Sequence, residues 1–246
     1  MDGTRRERPP PLDSRAAALF LDLDGTIAAI EPQPGDVGPL ASRTALLRRL
    51  GKELGGRVAV LTGRTLEEAD RILEGSVTAA GAVHGLVRRD PAGVIDADEP
   101  SPGIAAARLA LQSLADARPG LVLEEKQLSL ALHYRHAADS TEGVLDATRR
   151  IAEAHGLTLQ AGVMVSELRT PGPNKGDALR SLMRQPPFLG FVPVMIGDDL
   201  TDEAAFVAAA DLGGFGILVG AARPTAARYR LETVAAVLSW LSEGIP

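Results

Sequence analysis

The chain has no cysteine among its 246 residues. That excludes a disulfide framework and any metal site built on thiolates. Aromatic residues are almost as scarce, at 3% with a single tryptophan, so a core must be assembled from Ala, Leu and Val. A basic stripe is also missing: Asp and Glu number 32 against 26 Lys and Arg, for a net charge of −6. Nucleic acid is therefore not an expected partner. No apolar run approaches the ~18 residues that span a bilayer, and no apolar segment follows the charged N-terminus as a secretory signal would require. These absences predict a cytoplasmic protein with no membrane partner, read here as a monomer. The short basic stretch RRERPP (Arg5–Pro10) reads as part of a disordered tail over residues 1–15.

What is present is ordinary globular composition, 45% hydrophobic and 24% charged. The length suits one large domain, or one domain carrying a smaller insert. AAALFLDLD (Ala16–Asp24) is an apolar run that ends in turn chemistry, as a strand buried on both faces does. A helical pattern follows over Leu40–Gly56, then a strand and turn in RVAVLTGR (Arg57–Arg64). Thr65 with Glu68 three residues on is a capping-box pattern opening another helix. VTAAGAVHG (Val77–Gly85) is a third short apolar run. This alternation predicts an α/β fold with a parallel sheet.

The middle of the chain changes character. A helix is expected near Ile104–Ala117, an alternating extended segment over Leu121–Arg135, a helix over Glu142–Ala154 and a hairpin over Leu157–Thr170. That is a small α+β insert. The α/β rhythm then returns with a helix capped by Asn174, strands at Phe191–Asp199 and Phe215–Gly220, and a last helix at Leu231–Leu241. The expected boundaries are a core over 16–100 and 171–246, with the insert over 101–170.

Three apolar strands end in polar groups: Asp22 and Asp24, then Thr62-Gly63-Arg64, then Asp198 and Asp199. In an open parallel sheet, ligands bind beyond the carboxyl ends of the strands, so these groups are expected to converge. A lone Asp pair is more often a turn or a cap. Two pairs, each after a buried strand, point instead to a cation-binding cluster, and all-oxygen ligands suit Mg²⁺. Lys175 opens a helix, where the dipole disfavours a cation, which suggests an anionic partner. Repulsion between Asp22 and Asp24 would favour a shared proton. In the insert, Glu124 and Lys126 share a face if the segment is extended. From spacing alone an exposed strand-edge pair is the commoner explanation. His84 and His133 fit packing roles as well as functional ones.

DLDGT (Asp22–Thr26), LTGR, NKG and GDDLTDEAAF occur in the order of the four motifs of haloacid-dehalogenase-like phosphatases, which the chain resembles over essentially its whole length. Within that superfamily AVHG, LEEKQLSLALHYR, SELRTPGPNKGDAL and PPFLGFVPVMIGDDLTDEAAF are similar to the trehalose-6-phosphate phosphatase family. Two departures, Leu23 before the second aspartate and LRTPG before the third motif, remove no charged group. The resemblance implies a Rossmann-like core with an inserted α+β cap of the C2B type. It implies a Mg²⁺-dependent phosphoric monoester hydrolase of trehalose biosynthesis, acting through an aspartyl phosphate on a sugar phosphate. Asp22 would be the nucleophile and Asp24 the general acid and base. Asp22, the Asp24 main-chain carbonyl and Asp198 would bind Mg²⁺, with Asp199 and Asp202 holding its water or orienting Lys175. Thr62 and Lys175 would hold the phosphoryl group, and Gly63, Arg64, Glu124, Lys126, Arg135 and Glu167 would contact substrate. The resemblance leaves open another sugar phosphate, such as sucrose phosphate, mannosylglycerate phosphate or a hexose phosphate. A catalytically silent carbohydrate-binding module is the alternative from a different class; the joint presence of Asp22, Asp24, Lys175 and Asp198 argues against it.

Overall fold

Residues 6–162 and 164–245 are described by a computed structural model. In chain order the elements are β1 (Ala17–Leu21), α1 (Ala41–Glu53), β2 (Val58–Leu61), α2 (Leu66–Leu73), β3 (Ala79–Ala82), β4 (Val87–Arg89) and β5 (Ile95–Ala97). There follow α3 (Gly103–Asp116), β6 (Val122–Glu125), β7 (Ser129–His133), α4 (Thr141–Ala154), β8 (Thr158–Gly162) and β9 (Val165–Arg169). The chain closes with α5 (Lys175–Met183), β10 (Val192–Gly197), α6 (Glu203–Asp211), β11 (Phe215–Val219), β12 (Tyr229–Leu231) and α7 (Val234–Glu243). Contacts divide it into two compact units: Met1–Ala97 with Pro173–Pro246, and Asp98–Gly172. Among the described residues no helix is long and apolar enough to cross a membrane.

The first unit is built on an eight-stranded sheet in the order β12-β11-β10-β1-β2-β3-β4-β5. Strands β12 to β3 pair in parallel, while β4 and β5 add an antiparallel edge. The apolar run of β1 is explained by its position: Leu19 and Leu21 join the core on one face, and Ala18 and Phe20 the core on the other. A strand covered on both faces cannot alternate polar and apolar residues. The chain runs outward from β1 through β2 and β3, then returns to the other side of β1 as β10. That reversal opens a crevice at the carboxyl ends of β1, β2 and β10.

The capping box expected at Thr65 is present, and the expected Asn174 cap is part of a second one. Thr65 accepts from Glu68 N–H while the Glu68 side chain accepts from Thr65 N–H, and Asn174 does the same with Asp177. The disordered tail expected over residues 1–15 is not what the described part, 6–15, does; residues 1–5 lie outside the described residues. Glu7 O accepts from Arg230 N–H at 3.0 Å, which pairs the segment with the outer strand β12. Pro10 O accepts from Trp240 Nε1 at 2.9 Å, and Leu12 is buried in the core. Composition misled because Pro and Arg stand at the front of this segment and its buried leucine, Leu12, has no periodic neighbour. Leu12→Ala is expected to cost about 2–4 kcal/mol in denaturant unfolding. An unchanged midpoint would return the segment to the status of a tail.

The second unit has a four-stranded antiparallel sheet in the order β6-β7-β9-β8, with α3 and α4 packed against it. One face carries Leu123, Leu130, Leu132, Leu159 and Leu168 into an apolar cluster with the two helices. The expectation of one extended segment over Leu121–Arg135 is corrected. The chain turns after Glu125, Lys126 N–H donates to Ser129 O at 2.9 Å, and β7 pairs back on β6. The turn carries no Gly, Pro or Asn, so local chemistry did not mark it.

Candidate active site

Asp22 follows β1 directly, and its N–H donates to Ile196 O of β10 at 2.9 Å. The side chain is buried, and Lys175 Nζ donates to its Oδ1 at 2.7 Å. Lys175 donates equally to Asp202 Oδ1 at 2.6 Å. The Lys175 ammonium is buried too, against the usual rule for lysine. Burial alone would lower its pKa, but Asp202 and Asp22 outweigh burial and raise it above the ordinary lysine range. Lys175 is thus a fixed positive charge. Asp22 shifts upward because burial disfavours its charged form; Asp202 and Asp198 add to the rise and Lys175 opposes it. Asp198 is pushed up to about 6, by burial first and then by Asp202.

Asp22, Asp198 and Asp202 each bring an oxygen within 4.8 Å of the others. Three carboxyl groups face one ammonium, so their fully ionised forms would exceed it by two negative charges, the charge of one divalent cation. The main chain is shaped to allow the approach. Gly25 has a φ of +80°, and a Cβ there would lie 2.1 Å from Asp198 Oδ2. A Cβ on Gly197 would lie 2.3 Å from Asp202 Cγ. Hard oxygen donors, excess negative charge and space reserved at two glycines together fit a cation such as Mg²⁺.

Asp24 is paired with a cation of its own, as Asp22 is with Lys175. Its two oxygens accept from Arg64 Nε and Nη2, both at 2.7 Å, so each aspartate has its own cation. Arg64, expected to touch substrate, is buried and also donates to Pro34 O at 2.9 Å. Its guanidinium anchors Asp24 to the loop after β1. The Asp199 side chain accepts from Leu200 N–H at 2.7 Å as a helix cap. Asp202, expected to hold metal-bound water or to orient Lys175, accepts from Lys175 and also brings an oxygen within 4.8 Å of Asp22 and Asp198. Thr62 is buried after β2, its hydroxyl accepting from Arg64 N–H at 3.1 Å. Gly63 packs under the His84 ring, 2.5 Å from where its Cβ would be. Val83 and His84 both have left-handed backbones, at φ +46° and +56°. Such strain in a β-branched residue gathers at functional loops; here the two N–H groups donate to Arg64 O and Thr62 O, tying the β3 loop to the β2 loop.

In the second unit, strand register sets Glu124, Ala131 and Glu167 in one row across β6, β7 and β9. Lys126 Nζ lies 4.0 Å from Glu124 and 3.7 Å from Glu167. Ser129 Oγ donates to Glu167 at 2.5 Å, and His133 Nε2 lies 2.8 Å from Glu124 Oε2. The Glu124 pKa is lowered, chiefly by that His133 bond, against desolvation and with help from Lys126. Arg135 lies just beyond β7 and is exposed.

Residues 20–235 match the family described as Trehalose-phosphatase. The chain belongs to the trehalose-phosphatase family. It is 35% identical over 226 residues to the trehalose-6-phosphate phosphatase of Escherichia coli K12, covering 91% of this chain and 85% of that protein. A solved structure titled trehalose-6-phosphate phosphatase related protein superposes with a TM-score of 0.76 at 29% identity, over 91% of this chain and 95% of that one. The C-terminal domain of a C. albicans trehalose-6-phosphate phosphatase gives 0.83 at 18% identity over 98% of both chains, a likeness of fold. The structural neighbours include haloacid-dehalogenase-like hydrolases, as the four ordered motifs implied. The four ordered motifs account for Asp22, Asp24, Thr62, Lys175 and Asp198 in the sequence. They gave no sign of the Arg64 clamp on Asp24, whose partners are separated by 40 residues.

Proposed function

We propose that this chain hydrolyses trehalose 6-phosphate to trehalose and inorganic phosphate, with Mg²⁺ as cofactor. The observation that carries the reading is a buried carboxylate, Asp22, held by a buried lysine beside two further carboxylates at the switch point of a trehalose-phosphatase sheet. Asp22 attacks phosphorus through a carboxylate oxygen, the P–O bond to the sugar breaks, and an acyl phosphate forms on Asp22. The departing oxygen takes a proton from the Asp24 carboxyl. The resulting carboxylate then takes a proton from the water that attacks phosphorus, and cleavage of the acyl phosphate restores Asp22 and releases phosphate. Arg64 clamps Asp24 through two hydrogen bonds; to reach the departing oxygen, the Asp24 carboxyl must turn from the guanidinium. Lys175 offsets charge on the phosphoryl oxygens, and Thr62 and Gly63 donate to them. Asp22, Asp198 and the Asp24 carbonyl would hold Mg²⁺ with Asp202 beside them, and Asp199 through water. When bound, the ion supplies positive charge to the phosphoryl and attacking oxygens. Phosphate release across a panel of sugar phosphates tests the assignment; faster turnover of sucrose phosphate or a hexose phosphate would overturn the substrate.

Glu124, Lys126 and Glu167 read the sugar, with Arg135 as a further contact. Charged groups clustered on one sheet row, and absent from the phosphate chemistry, suit a ligand with many hydroxyls. A charged hydrogen bond to substrate contributes ~1.5–3 kcal/mol. Lys126→Ala is therefore expected to cut kcat/KM for trehalose 6-phosphate by roughly ten-fold or more. Hydrolysis of p-nitrophenyl phosphate, which has no sugar, should change far less. Equal losses on both substrates would make Lys126 a support of the fold, and no loss on either would make the cluster a solvated face.

A further inference from the structure

The five residues Asp198–Asp202 connect β10 to α6 and bring two carboxylates of the cluster, Asp198 and Asp202, against Asp22. Like charges at this separation repel, so something must fix the path of the loop. One restraint is internal: Asp202 Oδ2 accepts from Asp199 N–H at 3.0 Å. Lys175 holds Asp202 as well, and a further restraint comes from Arg223, on the connection between β11 and β12. Its Nη2 donates to Asp199 O at 2.8 Å and to Asp198 O at 3.2 Å. Its Nη1 pairs with Glu203, the first residue of α6. The second oxygen of Glu203 accepts from Ala226 N–H at 2.8 Å, which ties the arginine's own loop to the same point.

We propose that Arg223 is a positioning residue for the metal-binding loop: one guanidinium joins the loop's first two carbonyls to the side chain just beyond its end and so sets how far apart Asp198 and Asp202 stand. The planar fork of arginine suits the task because it reaches divergent acceptors at fixed angles. It bonds the main chain of Asp198 and leaves that carboxylate to the cation. This rests on the reading of Asp22, Asp198 and Asp202 as a divalent-cation site. Residues behind a metal's own ligands commonly tune affinity by ~10–100-fold.

The test is direct Mn²⁺ binding, read from the loss of the free-ion electron paramagnetic resonance signal, on wild type, Arg223→Ala, Arg223→Lys and Arg89→Ala. Arg89 is the control, since it also braces this unit through two bonds to Asp70, at 2.6 and 2.7 Å, but touches no part of the loop. Arg223→Ala is expected to bind Mn²⁺ ~10-fold or more weakly, with Arg223→Lys in between and Arg89→Ala equal to wild type. Should Arg223→Ala fail to fold, Arg223→Lys, which keeps the charge but loses the fork, carries the comparison. Wild-type affinity in the folded Arg223 variants, or an equal loss in Arg89→Ala, would overturn the inference. No Mn²⁺ binding by the wild type would instead overturn the metal site itself.

Discussion

Asp22→Asn is expected to lower hydrolysis of trehalose 6-phosphate by on the order of 10⁴-fold or more, because removal of a covalent nucleophile leaves only binding and electrostatics to act. The amide is nearly isosteric and keeps an oxygen that accepts from Lys175, which also retains its bond to Asp202. The variant should therefore fold, and its melting temperature should stay close to that of the wild type. A second effect favours folding: the wild-type carboxyl is raised in pKa by burial, then by Asp202 and Asp198, so its ionised form is disfavoured in the native state. The amide has no charge to bury. Phosphate release by a folded Asp22→Asn protein at a rate comparable to wild type would eliminate the covalent route.

Removal of the cation should be as severe. Excess EDTA is expected to stop hydrolysis and added Mg²⁺ to restore it, and full activity in the chelator would sink the metal assignment. The pKa shift at Asp198 gives this prediction a direction in pH. Its carboxyl is pushed up to about 6 in the folded protein, while the unfolded chain has an ordinary carboxyl near 4. As pH rises from about 4 through about 6, the unfolded state gives up its proton first, so the metal-free fold loses stability from this group. A cation needs the ionised form, so its affinity falls as pH drops below about 6. A ligand at 100 times its Kd stabilises by about 2.7 kcal/mol. The rise in melting temperature on adding Mg²⁺ should thus be larger at about pH 8 than at about pH 5, as calorimetry would detect. An equal rise at both pH values would remove Asp198 from the ligands.

Features written in neighbouring residues were readable from the sequence. Strands β1, β2 and β10 announced themselves as apolar runs closed by turn chemistry, and the Thr65 capping box and the Asn174 cap lie within patterns four residues long. Short strands with partly buried residues were missed: β4 is Val-Arg-Arg and β12 is Tyr-Arg-Leu, and neither has an apolar period to detect. Pairings over long separations were also hidden. Asp22 and Lys175 are 153 residues apart and came together in the reading through motif order. Arg64 was placed near the site, but nothing local says that its fork will close on Asp24. Arg223 had no signal at all: an Arg-Pro pair in a loop is ordinary until its acceptors are seen.

The second unit begins and ends at one place. Ser101 N–H donates to Thr170 Oγ1 at 3.1 Å, close inside the bounds Asp98–Gly172. A segment whose ends are pinned together asks little of its host, and the entropy of closing it varies only slowly with length. The bonds named for Asp22, Asp24, Lys175 and Asp202 are all made to residues outside that segment. Descent with modification can therefore act on two registers independently. The outer one holds the residues proposed to break a phosphate ester. The inner one is a cassette that can drift, lengthen or be exchanged for a cousin's. A chimera given a foreign cassette between residues 98 and 172 would inherit the hydrolytic step from one parent and its choice of ester from the other.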